Sequence, residues 1–263
     1  MKTQEDFSKY NGEGTVLKSA QLFINLGCKL LITMRDFVVK IALKLGLYKQ
    51  IVEGINRVKF RIQTRRMRRD GIEMLAVADK AFTDMGVEAF LTYGTLLGAY
   101  REKGFISYDP DIDLGIMADT APHDMQEKMR QAGFKPFRKN VLAGTGEVFE
   151  ETYIYKKLHL DIFYYFREGT DFYSINARKH ETKEWKEANA TDGFPCDRNY
   201  VPATTFERRD FLGLKVYMPV DTDGWLRAIY ADSYMTPIKN WNVKDHKTRI
   251  VYTSERSYRV FLD

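Results

Sequence analysis

The chain has 263 residues, 44% of them hydrophobic and 14% aromatic, with a net charge of +5. This is enough apolar material for one well-buried domain with an appendage, and it excludes a disordered chain. The cysteines, Cys28 and Cys196, stand in unrelated contexts, which predicts a reducing compartment and no disulfide framework; no Cys/His spacing reads as a zinc site.

Residues 1–13 are polar and carry acids, so no cleavable signal peptide is expected. Residues 15–50 read as a long amphipathic helix with a narrow polar stripe at Lys18, Asn25, Lys29, Asp36, Lys40 and Lys44. No run of uncharged apolar residues is long enough to span a bilayer. Residues 57–69 hold seven basic residues and no acid. The positive charge is concentrated here, since residues 1–70 carry 15 Lys/Arg against 6 Asp/Glu. Such a segment is a packed or dimerising helix with a solvated basic face, or a helix lying on an anionic membrane surface. Nucleic acid ranks low because no recognised binding module accompanies the charge.

Gly71 to Met85 reads as a helix, and Ala89 to Tyr93 as a short buried strand. Gly94 and Thr95 turn the chain into a second helix, with Thr95 as its expected cap and Gly104 as its stop. Asp109-Pro110-Asp111-Ile112-Asp113 then enters a strand. Alternation places Asp111 and Asp113 on one face, and Ile112, Leu114 and Ile116 on the other. Two carboxylates on one strand face repel unless a cation lies between them, which makes a hard oxygen site for Mg²⁺ or Mn²⁺. Asp-x-Asp alone is common in turns. The run of strand, Gly-Thr turn, helix with an arginine and Asp-x-Asp strand is more specific.

Further on, a helix is expected from Thr120 to Gly133, then strands at Phe134–Arg138 and Val148–Tyr155 around Gly144-Thr-Gly146. Leu158–Phe166 is a strand in which Asp161 shares a face with His159 and Phe163. An aspartate there needs a salt bridge, a backbone partner or a place in a site. A strand at Phe172–Ile175, an irregular polar segment to Asn199, a hairpin turning at Gly213 and a helix from Asp221 complete the readable elements.

The stretch Gly94-Thr-Leu-Leu-Gly-Ala-Tyr-Arg101, followed by Gly104-Phe-Ile106 and Asp109-x-Asp111-Ile-Asp113, resembles the signature of the LicD/fukutin family. The chain departs from it with Tyr93 for a glycine, Ser107 for proline, Tyr108 for tryptophan and Pro110 for the middle aspartate. A weaker resemblance extends through Leu158–Phe163 and Tyr230–Pro237. It implies an α/β (mixed α+β) fold, a nucleotidyltransferase-like mixed sheet flanked by helices. Residues 70–250 would form that domain, residues 1–69 a helical appendage and residues 251–263 a tail.

The family includes phosphotransferases that move phosphocholine or ribitol phosphate from a CDP-activated donor to a glycan. The resemblance implies that Asp111, Asp113 and Asp161 hold Mg²⁺ or Mn²⁺ and act in catalysis with Arg101. It implies that Gly94, Thr95, Lys103 and Asp109 bind substrate. Apart from the resemblance, the lack of an N-terminal signal anchor favours the cytoplasmic face of a membrane, with residues 15–69 meeting anionic lipid or a second copy of the chain. Two alternatives stay open: nucleotidyl transfer to a small molecule or RNA, and a silent membrane scaffold.

Overall fold

The computed structural model describes residues 47–238 and 248–262. Most of the helix expected over 15–50, with Cys28, lies outside these residues. The chain divides into two compact units, 1–60 and 61–263. Of the first, only 47–60 is described; it is helical from Tyr48. The helix α1 spans Tyr48–Asp84, so the basic run and the helix expected from Gly71 are one element. A cluster of seven basic side chains does not break a helix when each can extend into water.

The second unit is a mixed sheet flanked by helices, as the sequence implies. Its strands are β1 (Phe90–Leu91), β2 (Asp111–Met117), β3 (Lys135–Leu142), β4 (Val148–Tyr155), β5 (Leu158–Glu168), β6 (Asp171–Ala177), β7 (Phe194–Pro202), β8 (Phe206–Phe211), β9 (Leu214–Pro219) and β10 (Ile250–Phe261). They pair in the order β4-β3-β10-β7-β6-β5-β2-β1-β9-β8, and β4 also pairs with β5. Strands β3, β4, β5, β6, β7 and β10 therefore close a cycle of pairings, from which β2, β1, β9 and β8 extend. The β2–β5 and β1–β9 pairs are parallel and the rest antiparallel.

Short helices fill the connections: α2 (Tyr93–Leu97) running into a π-turn (Gly98–Glu102), α3 (Met125–Gln131), α4 (Trp185–Ala190) and α5 (Thr222–Tyr230). The main core joins the inner faces of α1, α2, α3 and α5 to β2 and β5 through Met74, Phe82, Leu96, Ile112, Leu114, Leu160 and Ile162. Trp225 of α5 is fully buried and meets the rings of Phe90, Tyr165, Phe172 and Phe206. Each such burial contributes about 1.5–3 kcal/mol. Asp221 caps α5 by accepting the Gly224 amide at 3.0 Å, and acidic residues at that end suit its dipole.

Four expectations are corrected. The helix expected from Thr120 begins at Met125, because the Thr120 hydroxyl donates to the Met117 carbonyl (2.9 Å) and residues 118–120 form a 3₁₀ turn. Lys103, at φ +53°, closes the turn after α2, in place of Gly104. The segment expected to be irregular up to Asn199 contains α4 and most of β7. Its polar residues are buried against partners, Asp197 by Arg178 and Asn199 by Tyr93, which masks the strand alternation. Finally, the stretch read as a tail forms β10, between β3 and β7.

Candidate active site

Strand β2 carries Asp111 and Asp113 on one face and fully buries Ile112, Leu114 and Ile116 on the other. That apolar face fixes the register, since a one-residue slip would bury both carboxylates in the core. The parallel pairing with β5 sets Asp113 opposite Asp161 and Asp111 opposite His159. Asp109 joins them from the preceding loop. Asp109, Asp111 and Asp113 each offer a carboxylate oxygen within 4.8 Å of the others.

The turn at α2 is clasped to β2. The Gly94 amide donates to Asp113 Oδ2 at 3.1 Å, and Thr95 Oγ1 accepts the Asp113 amide at 2.9 Å. Thr95 therefore anchors the carboxylate strand, and the cap position falls at Thr92, whose hydroxyl bonds the Tyr165 phenol. Gly94 is required by close approach: a Cβ there would collide with the carboxylate of Asp109.

Crowding and burial act together on these acids. Burial, then the Asp109 carboxyl and the Asp161 charge, push Asp111 up to about 8. Asp113 is pushed well above the ordinary range by burial first, then by Asp111, Asp109 and Asp161. Burial also raises Asp109. No lysine or arginine among the described residues forms an ion pair with any of the four aspartates. Their donor set, carboxylate oxygens only, fits a hard divalent cation.

Asp161 is 8% exposed and accepts a short hydrogen bond from Thr152 Oγ1 through its Oδ1. Arg101 lies in the π-turn, where it donates to the Tyr234 carbonyl (3.0 Å) and pairs with Glu102 (2.8 Å). It thus ties the Gly94–Met117 stretch to the 3₁₀ turn Asp232–Met235. Lys103 is directed to its own helix end, with Nζ donating to the Tyr100 carbonyl at 2.9 Å. The structure gathers the aspartates, Gly94 and Thr95 around β2, while Arg101 and Lys103 are held by other protein groups.

Sequence reasoning passed over Tyr93. It sits at φ +42°, a left-handed conformation costing a non-glycine residue about 1–2 kcal/mol. Glycine, which the LicD/fukutin signature carries in this place, adopts that conformation without strain. The phenol accepts from Asn176 Nδ2 (3.1 Å) and Asn199 Nδ2 (2.9 Å) and donates to Ser174 Oγ (2.6 Å). Its ring lies 4.6 Å from Phe163, centroid to centroid. The departure from the signature was visible in the sequence; its three partners on β6 and β7 were not.

Comparison with known proteins agrees with this geometry. The chain is 28% identical over 173 residues to the mouse (Mus musculus) protein named ribitol-5-phosphate transferase FKTN, covering 65% of this chain and 34% of that protein. The human protein of that name is 26% identical over 178 residues, covering 67% of this chain and 36% of its own length. An uncharacterised Rickettsia typhi protein is 24% identical over 193 residues, which cover 72% of this chain and 51% of the relative. The chain thus aligns with about a third of the length of the mouse and human relatives. The model of the family described as LicD/FKTN/FKRP, nucleotidyltransferase domain, matches residues 86–221, from the turn before β1 to the cap of α5. That match takes in more than half of the chain and every aspartate of the cluster, and the chain belongs to this family.

Proposed function

We propose that the protein is a metal-dependent phosphotransferase, moving a phospho-alcohol such as phosphocholine or ribitol phosphate from a CDP-activated donor to a hydroxyl of a cell-surface glycan. The observation that carries this reading is the convergence of Asp109, Asp111 and Asp113 beside Asp161 with no ion-paired counter-cation among the described residues. The name of the mouse and human relatives gives the class of group transferred.

Asp109, Asp111 and Asp113 would hold Mg²⁺ or Mn²⁺, which when bound neutralises donor diphosphate charge and polarises the reacting phosphoryl group. Thr152 occupies Asp161 Oδ1, leaving Oδ2 to take the proton of the acceptor hydroxyl. The acceptor oxygen so freed would form a bond to the alcohol-bearing phosphorus as the bond from this phosphorus to the bridging oxygen breaks, with CMP leaving with the electron pair. Thr95 and Gly94 hold Asp113 in place throughout.

Titration of CDP, CMP, UDP and ADP with and without Mg²⁺ tests the assignment. Metal-dependent binding of CDP in preference to the others, with CMP as the product from CDP-alcohols, is expected. Release of diphosphate from a nucleoside triphosphate would replace it with nucleotidyl transfer, and absence of nucleotide binding would leave a scaffold.

The metal assignment also predicts a pH dependence. Because Asp111 is raised in the folded chain, the metal-free native state holds a proton between roughly pH 4, the unfolded value, and pH 8 that the unfolded chain has lost. Metal-free stability therefore falls as pH rises through that window. Mg²⁺ is expected to raise the melting temperature little at pH 5 and progressively more towards pH 8; a constant increment would remove the carboxylates as its ligands.

We also place the protein peripherally on the inner face of a membrane. The first turns of α1 expose Ile51, Ile55 and Val58 at helical spacing, followed by Arg61, Arg65, Arg66, Arg68 and Arg69. No helix among the described residues is long and apolar enough to cross a bilayer. The full chain is expected to co-sediment with vesicles rich in anionic lipid, and to lose this on charge reversal of Arg65, Arg66, Arg68 and Arg69. Persistent self-association with no vesicle binding would assign this helix to oligomerisation.

A further inference from the structure

A second set of charged groups lies on the same pairing ladder and takes no part in the scheme above. Strand register runs from Asp113 on β2 to Asp161 on β5, Thr152 on β4 and Arg138 on β3. The backbone of Arg138 is therefore two strands from that of Asp161, about 10 Å at ordinary strand spacing, and the two side chains meet through Thr152. Its Nε donates to Thr152 Oγ1 (2.9 Å) and one terminal nitrogen to Glu150 (3.2 Å).

Beside it stands Arg259 of β10, opposite Asn140 in the register. Arg259 Nε donates to Asn140 Oδ1 at 3.1 Å, and the guanidinium lies 5.5 Å from the Phe194 ring centroid. Asn140, only 1% exposed, is fixed in turn by donating to Glu150 Oε2 at 2.7 Å. Arg259 forms no ion pair with any described carboxylate. Its pKa is pushed down, first by burial and then by the positive charge of Arg138. Two neighbouring guanidiniums, each anchored through Nε, are an unfavourable arrangement for stability and a favourable one for an anion. A planar fork held at Nε and against an aromatic face presents its terminal N–H groups with little ordering left to do.

We propose that Arg138 and Arg259 form an anion subsite that binds a phosphate or carboxylate carried by the acceptor, holding it along the sheet from the carboxylate cluster. This deepens the phosphotransferase reading and rests on it for the identity of the bound molecule as acceptor. The position suits such a division: Arg138 reaches Asp161, the group assigned to the acceptor hydroxyl, through Thr152, whereas the donor diphosphate belongs at Asp109, Asp111 and Asp113. The subsite would select acidic or phosphate-bearing acceptors over neutral sugars, because Arg138 already pairs with Glu150 while a neutral acceptor leaves Arg259 half-buried without an ion-pair partner.

The test follows the arginine Nε–H resonances of the full, metal-free chain by NMR during titration with inorganic phosphate, against sodium chloride at equal ionic strength. Saturable shifts of Arg138 and Arg259 with phosphate and not with chloride are expected. Arg259→Gln should weaken phosphate binding about tenfold, with partial recovery in Arg259→Lys, which keeps the charge and loses the fork. Mg²⁺-dependent CDP binding in Arg259→Gln should stay within about twofold of the parent.

Absence of a phosphate-specific shift in the parent chain overturns the subsite, and that measurement needs no variant to fold. Equal weakening of CDP and phosphate binding also overturns it, since the arginines would then serve the donor. Phosphate shifts that persist in a chain unable to bind CDP would support the subsite and remove the donor assignment instead.

Discussion

Asp113→Asn is expected to lower turnover by about three orders of magnitude while raising the stability of the metal-free protein. The two effects have one cause. Asp113 is buried among Asp109, Asp111 and Asp161, so its charged form is disfavoured in the absence of a cation. Asparagine keeps the acceptor for the Gly94 amide and removes the charge. Under the proposed function, with a cation and a diphosphate present the same charge would hold the reacting groups, and losing it would forfeit about 4 kcal/mol of transition-state stabilisation.

The sign of the stability effect depends on pH. The native state of the parent takes up a proton at Asp113 that the unfolded chain has released above roughly pH 4. The folded-state penalty is absent below that value and grows as pH rises, so the advantage of asparagine is small at pH 5. It is larger at pH 8. Melting in EDTA at both pH values, together with CMP release from a CDP-alcohol, measures both halves. A variant destabilised at pH 8 would show that Asp113 serves the fold more than a cation.

Tyr93→Phe is expected to be destabilising by about 2–4 kcal/mol, although it removes one oxygen atom. That oxygen serves Ser174, Asn176 and Asn199 together. Ser174 is fully buried and Asn199 only 4% exposed. Each group left without a partner costs about 1–3 kcal/mol, less whatever water can recover. Tyr93→Gly separates the contributions: it relieves the positive φ, worth about 1–2 kcal/mol, but leaves the space of a phenol ring beside Phe163. Chemical denaturation of both variants is the measurement. Glycine matching the parent would mean that the phenol network contributes nothing beyond offsetting the strain.

The sequence by itself determined the local geometry of β2. Period-two alternation put Asp111 and Asp113 on one face because Ile112, Leu114 and Ile116 need the core, and no distant residue is required to know it. The β8–β9 hairpin and the start of the helix at Asp221 were legible for the same reason, since each is decided by contacts within a few positions. The family signature added Asp161 and the mixed sheet.

Tertiary structure decided what those faces meet. Asp109 joins the carboxylate cluster because the Pro110 loop brings it against Gly94, and Thr95 turned from a helix cap into an anchor for Asp113. Arg138 and Arg259 are 121 positions apart; only the pairing of β3 with β10 makes them neighbours. The strand beginning at Ile250 read as a tail because polar groups such as the buried Ser257 and the half-buried Arg259 erase its hydrophobic alternation. Their burial is tolerable only once Asn140, Phe194 and the neighbouring strands supply partners. Alternation along a strand follows from the extended, pleated geometry of the backbone. The choice of neighbouring strand depends on closing long loops against shared burial, and no window of sequence contains both sides of that balance.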